Sequence, residues 1–248
     1  MNLSIIIPVF NEIKLLPKIL FKIIKDTKRI NKEIIIIDDC STDGTREWLS
    51  KIKKKFNYLS LKKNKLFFSK KKKSNLKIFL KKENEGKGSA VNIGLKESTK
   101  DIITIQDADL EYMPKDLNKM IGYIKNGKAD VVYGNRFSTK KNRYHYFTYA
   151  IGNYVLSAFV SILFNAKLSD VAVCYKMFKS VVIKDIKFKS NDFMFDFEFT
   201  SKVLKKKKWK FSEVDISYKG RTFAEGKKIF WIDGFRALLV ILKIKLFY

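Results

Sequence analysis

The sequence predicts an α/β fold: a mixed, mostly parallel sheet flanked by helices, with an amphipathic helix at the C-terminal end. Three observations predict it. Short unbroken apolar runs (LSIIIPV, EIIII, LKIFL, DIITI, ADVVYG) recur along the chain, as expected of strands buried on both faces. Helix-period segments separate them, and strands alternating with helices require crossover connections. Acids gather where the apolar runs stop, and in open α/β sheets ligands lie beyond the carboxyl ends of the strands.

Each element follows in order. Leu3 to Val9 reads as a strand ended by Pro8, with Asn11 capping a helix that runs to about Lys25. Ile34 to Ile37 is the second strand; DDCSTDGT then turns at Gly44 into a helix through Lys55. Leu76 to Leu80 is the third, followed by the glycine-rich turn NEGKGSA and a helix. DIITIQDAD is the fourth strand, with a helix from about Pro114 to Asn126, and ADVVYGNRF is the fifth. Residues 56–75 form a lysine-rich surface insertion with no chemistry, longer than an ordinary connection. The expected organisation is one domain over 1–225 and a terminal helix over 226–248.

The formal charge of +27 invites a nucleic-acid reading, which the composition argues against. Of 52 basic residues only six are Arg, whereas sequence-specific nucleic-acid sites lean on Arg forks. No nucleic-acid partner is expected. Lys51 to Lys82 holds fourteen Lys and no acid, a solvated face or one that leans on an anionic membrane. Cys40 and Cys174 have no metal-ligand spacing, which fits a reducing compartment, and no leader precedes Leu3; a cytoplasmic protein is expected.

Two segments bear on membranes. Thr148 to Ala166 is nineteen residues without a charge, yet Asn153, Ser157, Ser161 and Asn165 recur every four residues, the mark of a helix packed on one side. The segment IFWIDGFRALLVILKIKLFY carries Asp233, Arg236, Lys243 and Lys245, too many charges for a span. With Trp231, Phe235, Phe247 and Tyr248 beside basic residues, it reads equally as an interfacial helix or one docked on the domain. The expectation is a peripheral protein at the inner membrane face with no transmembrane helix.

The chemistry begins at ITIQDADLEYMP. In extended backbone, residues i and i+2 point to one side, so Asp107 and Asp109 can converge, and Ala108 keeps the gap small. Two bare carboxylates that close repel unless a cation intervenes. A hard divalent ion, Mg²⁺ or Mn²⁺, sharing its shell with substrate phosphates satisfies them. Alone, D-x-D is a weak signal, because most chance matches are turns or caps.

Its company is more specific. SIIIPVFNE, IIIIDDCSTDGT, NEGKGSAVNIGL and IQDADLEYMP, continuing through GKADVVYGNRF, CYKMF, FEFTSKV, EVDISYKGRTFAEGKK and DGFRALLVILK, together resemble the family 2 glycosyltransferases of the Rossmann-like GT-A fold. The subgroup most resembled is that of dolichyl-phosphate mannosyltransferase and bacterial polyprenyl-phosphate sugar synthases. The resemblance implies a nucleotide-sugar donor, a polyprenyl-phosphate acceptor, and inversion by direct displacement. It implies that Pro8, Phe10 and Glu12 hold the donor nucleoside and that Asp39 contacts base or ribose, while Asp38 shapes the turn. Asp107 and Asp109, with Ala108 between them, match the donor- and metal-binding pair, and Glu111 a further metal ligand. Arg136, Lys176, Arg221 and Lys227 fall on the phosphate and acceptor side, and Lys87 near the donor. The catalytic set implied is Asp109 and Arg136, with Asp170 and Glu198 as acids near the acceptor; structurally, Asp170 also reads as a cap and Glu198 as a lysine partner.

Ala172 and Val173 depart from the Glu and Thr common before CYK in the bacterial relatives. Gly86 and Gly88 resemble a phosphate-cradling loop, but no G-x-G-x-x-G is present, and His145 reads as a packing residue. Two alternatives stand beside the lipid-phosphate reading: a saccharide hydroxyl acceptor in cell-envelope polysaccharide synthesis, and a non-catalytic basic module binding membrane or nucleic acid.

Overall fold

The structure, a computed structural model, describes residues 1–70, 75–137, 147–222 and 231–248. Lys227 and His145 lie outside the described residues.

The first strand, β1 (Leu3–Val9), pairs in parallel with β2 (Lys32–Asp38). Helix α1 (Leu16–Asp26) connects them and buries Leu16, Ile19, Leu20, Ile23 and Ile24 along one face. After β2 come α2 (Thr45–Lys55), the hairpin β3 (Tyr58–Lys62) and β4 (Lys65–Ser69), and then β5 (Leu76–Leu80), parallel to β2. Helix α3 (Lys87–Glu97) crosses back, packing on β1 and β2, to β6 (Ile102–Ile105) on the other side of β1. A 3₁₀ turn (Pro114–Asp116) and α4 (Leu117–Lys125) lead to β7 (Val131–Asn135). The chain continues through α5 (Phe147–Phe164), β8 (Lys176–Lys179), α6 (Phe195–Lys205), β9 (Phe211–Asp215) and α7 (Trp231–Phe247).

The seven-stranded sheet has the order β5-β2-β1-β6-β8-β7-β9. Only β8 runs antiparallel, between β6 and β7. Strand order reverses direction at β1, so the crevice between the carboxyl ends of β1 and β6 is the topological switch point where such sheets take ligands. Ile5, Ile6, Ile7, Ile34, Ile35 and Ile37 are fully excluded from solvent, which accounts for the continuous apolar runs in β1 and β2.

Several expectations need correction. The described part of the lysine-rich insertion, residues 56–70, contains a hairpin. Tyr58 to Lys62 pairs with Lys65 to Ser69 around Lys63 and Asn64, both at positive φ (48° and 59°), the backbone of a two-residue hairpin turn. Asn75 ties the hairpin to β5 through the Leu59 amide and carbonyl, and Phe68 packs on Trp48 and Phe56. Helix α1 starts at Leu16, not after Asn11; Asn11 sits at φ 58° and its side chain accepts from the Thr42 amide instead. Pro17 supplies the helix start, where its missing N–H costs nothing.

Asn153, Ser157 and Ser161 of the polar stripe face inward along α5, whereas Asn165 lies just past the helix end, exposed and at φ 51°. Asn153 donates to Asp170 and accepts from the Ala172 amide, Ser157 accepts from Val171, and Ser161 bonds both the amide and carbonyl of Leu168. The opposite face is apolar and exposed at Ile151, Tyr154, Val155 and Ile162. Helix α7 packs beside it on α5 and α6 through Ala237, Ile241 and Ile244, leaving Phe235, Leu239, Leu246 and Phe247 exposed. Among the described residues no helix is long and apolar enough to cross a membrane.

Candidate active site

The fourth apolar run ends where Gln106 takes the last ladder bond from its amide to Ile6. Beyond it the chain turns sharply. The Glu111 amide donates to Asp109 Oδ1 at 3.0 Å while Leu110 sits at φ 63°, a left-handed conformation that costs an L-residue about 1–2 kcal/mol. Such strain persists where surrounding contacts impose it, commonly at functional sites. Here the turn brings Asp107, Asp109 and Glu111 to the mouth of the crevice.

Two cations meet these acids. Lys87 Nζ lies 2.9 and 3.1 Å from the two oxygens of Asp107. Arg221 places Nη1 2.9 Å from Glu12 Oε1 and Nη2 3.1 Å from Asp109 Oδ2. Its backbone is fastened separately: the Arg221 amide donates to Glu111 Oε1, the Tyr218 hydroxyl to Glu111 Oε2, and the Lys219 amide to the Glu111 carbonyl. Glu111 thus stands in the cluster with both carboxylate oxygens engaged by the 218–221 segment. Burial pushes the Asp109 carboxyl up to about 7, Asp107 and Glu111 add to the effect, and Arg221 opposes it.

The side of the crevice that carries Lys87 is built from the end of β2 and the start of α3. Asp39 accepts from the amides of Glu85 (3.1 Å) and Gly86 (2.8 Å) and pairs with Lys81. Asp39 therefore sets the loop that launches Lys87 toward Asp107. Asp38 is buried on Arg46 and the Ser41 amide, a turn-shaping role. The glycines of this loop serve close packing: Gly86 has φ 99°, and a Cβ there would lie 2.6 Å from the Asn191 carbonyl, which accepts from the Ser89 amide. Ala108 is buried behind the acid pair, and Pro8 and Phe10 line the end of β1 half-exposed.

Asp196 was not singled out from sequence. It lies on α6, 2.7 Å from Lys176 Nζ and 3.6 Å from Lys87 Nζ, with Cys174 Sγ at 3.5 Å. Burial would raise its carboxyl, but Lys176 and Lys87 outweigh it and hold the group below the usual aspartate range. The signal in the sequence was an acid inside the apolar run MFDFEFT, where a buried carboxylate needs a cation.

Across the crevice, Arg136 forms a two-pronged pair with Asp170, at 2.7 Å from Nε and 2.6 Å from Nη2. The Arg136 guanidinium also lies 5.1 Å from the Tyr218 ring. Two acceptor-side expectations are corrected. Lys176 has no solvent exposure; its ammonium is taken up by Asp196 and the Val173 carbonyl, so it does not reach the crevice. Glu198 accepts from the Lys189 and Ser190 amides and pairs with Lys202 one turn on, the lysine-partner role rather than a free acid.

A family model described as "Glycosyl transferase family 2" matches residues 4–187, which contain the crevice acids Glu12, Asp39, Asp107 and Asp109. The chain belongs to the family 2 glycosyltransferases. Among curated proteins it is 31% identical over 137 residues to dolichol-phosphate mannosyltransferase of Pyrococcus furiosus, covering 55% of this chain and 34% of that one. It is 29% identical over 133 residues to undecaprenyl-phosphate 4-deoxy-4-formamido-L-arabinose transferase of Pectobacterium atrosepticum, covering 53% and 36%. The chain thus aligns with only about a third of the length of either relative. Among solved structures, glucosyl-3-phosphoglycerate synthase from Mycobacterium tuberculosis, in complex with Mn²⁺, UDP-glucose and phosphoglyceric acid, superposes with a TM-score of 0.66 at 13% identity, over 98% of this chain and 79% of that one. S. aureus TarS in complex with UDP-GlcNAc gives 0.59 at 17%, over 98% and 66%. At these identities the likeness establishes the GT-A fold.

The donor set suits the divalent metal found in such neighbours. The acids at the crevice mouth offer carboxylate oxygen, the donor type that Mg²⁺ and Mn²⁺ take, and both ions occur in complexes of glucosyl-3-phosphoglycerate synthase. Among the described residues no three of these side chains form a ready-made cage.

Proposed function

We propose that this family 2 glycosyltransferase transfers a hexose, with inversion, from a nucleotide-diphospho-sugar to a polyprenyl phosphate at the cytoplasmic face of a membrane. Asp107 and Asp109 would hold the metal, which supplies charge neutralisation to the donor diphosphate as the sugar bond breaks. Asp39, Pro8, Phe10 and Glu12 would line the donor side, and Arg136, across the crevice, and Arg221, beside the acids, would serve the phosphates.

The observation that carries the lipid-phosphate reading is the state of the candidate bases. A hydroxyl acceptor needs a group to remove its proton. Asp170 is locked on Arg136 and Asn153, and Glu198 on two amides and Lys202. A phosphate acceptor is already ionised near pH 7 and asks for no such base. The exposed apolar faces of α5 and α7 support the same reading, because α5 buries its polar face directly on Asp170 and offers the other to an apolar partner. With Lys243 exposed on α7, that surface suits an anionic bilayer; the Lys245 ammonium is instead taken up by the Leu163 carbonyl.

The test is incubation of the protein and membranes with labelled nucleotide sugars, followed by organic extraction. Metal-dependent label in the organic phase is the expected result. Label confined to the aqueous or polymer fraction would replace this reading with a saccharide hydroxyl acceptor.

A further inference from the structure

The side chain of Arg221 is held differently from that of Arg136. Arg136 and Asp170 form a matched, two-pronged pair. Arg221 instead is shared among three acids from two strand ends: Glu12 at 2.9 Å, Asp109 at 3.1 Å, and Glu111 with Nε 3.6 Å from Oε1. That Nε is buried and has no hydrogen-bond partner. Arg221 therefore makes one hydrogen bond to each of two acids and a longer contact to a third, with no two-pronged pair to any one of them. The backbone of its segment does not depend on the guanidinium, because Glu111 holds the Arg221 and Lys219 amides and the Tyr218 hydroxyl. The side chain can therefore leave its acids while the segment stays in place.

Electrostatics give the guanidinium a reason to be there and a reason to go. Asp107 has Lys87 as its own counter-ion; Asp109 has Arg221. Without a cation the close carboxylates would repel. A guanidinium spreads one charge over a broad plane, whereas a divalent ion concentrates two and binds carboxylate oxygen at short range.

We propose that Arg221 is a placeholder cation: it occupies the acid cluster in the free protein and is exchanged off Asp109 and Glu12 when a divalent metal enters with the donor diphosphate. The inference rests on the reading of Asp107 and Asp109 as the metal pair. Metal and Arg221 then compete for the same oxygens, and the metal binds tightly only when the diphosphate both completes its shell and offers the displaced arginine new acceptors. Loading is thereby coupled to the donor, so that metal alone does not hold the site open.

Mn²⁺ binding to the full chain, read from the electron paramagnetic resonance signal of free Mn²⁺, tests this with and without UDP or GDP. Arg221→Gln is expected to bind Mn²⁺ alone about tenfold or more tightly than wild type, the lower end of what one opposite charge does to a carboxylate's affinity for a proton. The variant should also unfold at lower temperature without metal and regain its midpoint with Mn²⁺. Asp109→Asn should abolish the binding in either background. Equal or weaker Mn²⁺ binding by Arg221→Gln, with Asp109→Asn still abolishing it, would overturn the placeholder and leave the metal pair standing. Indifference of Mn²⁺ binding to Asp109→Asn would sink the metal pair and the placeholder together. Should Arg221→Gln not fold, wild type decides the matter, because six arginines give a tractable ¹⁵N side-chain spectrum. Mg²⁺ with nucleoside diphosphate should shift the Arg221 Nε–H resonance; an unmoved resonance in a protein that binds both would refute the exchange.

Discussion

Replacing Asp170 by Asn separates two roles for this acid, brace or general base. Asp170 is fully buried and receives Arg136 Nε at 2.7 Å, Nη2 at 2.6 Å and its amide at 3.2 Å, and Asn153 Nδ2 at 3.0 Å. The Arg136 side chain is only 13% exposed, so removing Asp170's charge takes the counter-charge from a guanidinium that water barely reaches. Breaking a buried pair from one side costs about 3–5 kcal/mol, and the retained amide oxygen of Asn puts this case near the lower value. For a chain of this size about 3 kcal/mol lowers the unfolding midpoint by roughly 6–12 °C. Arg136→Gln should cost a similar amount, and the double variant less than the sum, with a coupling of about 1–3 kcal/mol. The assay is thermal unfolding followed by circular dichroism, in parallel with turnover. An Asp170→Asn protein that melts within about 2 °C of wild type, a shift worth less than 1 kcal/mol, yet has lost turnover would refute the brace and restore Asp170 as a base.

The remaining predictions concern the far end of the sheet, the glycine turn and the apolar surface. Glu33 is buried and accepts from Ser4 at 2.6 Å, the Thr99 amide at 2.7 Å and Lys77 at 3.2 Å; burial would raise its carboxyl, but these bonds hold it below its ordinary 4.5. A depressed carboxylate stabilises above the unfolded value and loses that contribution as pH falls, so Glu33→Gln should cost about 1–3 kcal/mol near neutrality and progressively less below pH 4.5 in urea unfolding. A cost independent of pH would contradict this. Gly86→Ala must adopt φ 99° and press its Cβ on the Asn191 carbonyl, so a loss of about 1–3 kcal/mol is expected, with weaker donor binding by calorimetry because Lys87 follows directly. Ile162→Asp and Phe235→Asp change side chains that are 83% and 64% exposed. Both should leave the melting midpoint unchanged and reduce co-sedimentation with anionic vesicles; undiminished binding by the double variant would remove the membrane surface from the proposal.

Much of the scaffold was legible because its causes are local. The unbroken isoleucine runs mark β1 and β2 as buried on both faces, and helices between them require a mostly parallel sheet. The acids after β1, β2 and β6 could be placed at one crevice from that order alone. Where local causes were weak, reading failed. Strand β8 is four residues long and enters the sheet antiparallel between β6 and β7, which no periodicity announces. The β3–β4 hairpin was hidden by its lysines, although Leu59 is buried.

Partnership could only come from tertiary structure. Arg221 reaches Asp109 across 112 positions and Glu12 across 209, and Asp170 meets Arg136 across 34. Residue type and spacing say that a carboxylate needs a cation; strand register and helix packing decide which one is near. Sequence by itself determined the scaffold, the crevice and the acids at its mouth. The fold decided that Lys176 pairs with Asp196, that Glu198 pairs with Lys202, that Asp196 comes within 3.6 Å of Lys87, and that Arg221 stands on the acids themselves, because these depend on distances that only the folded chain sets.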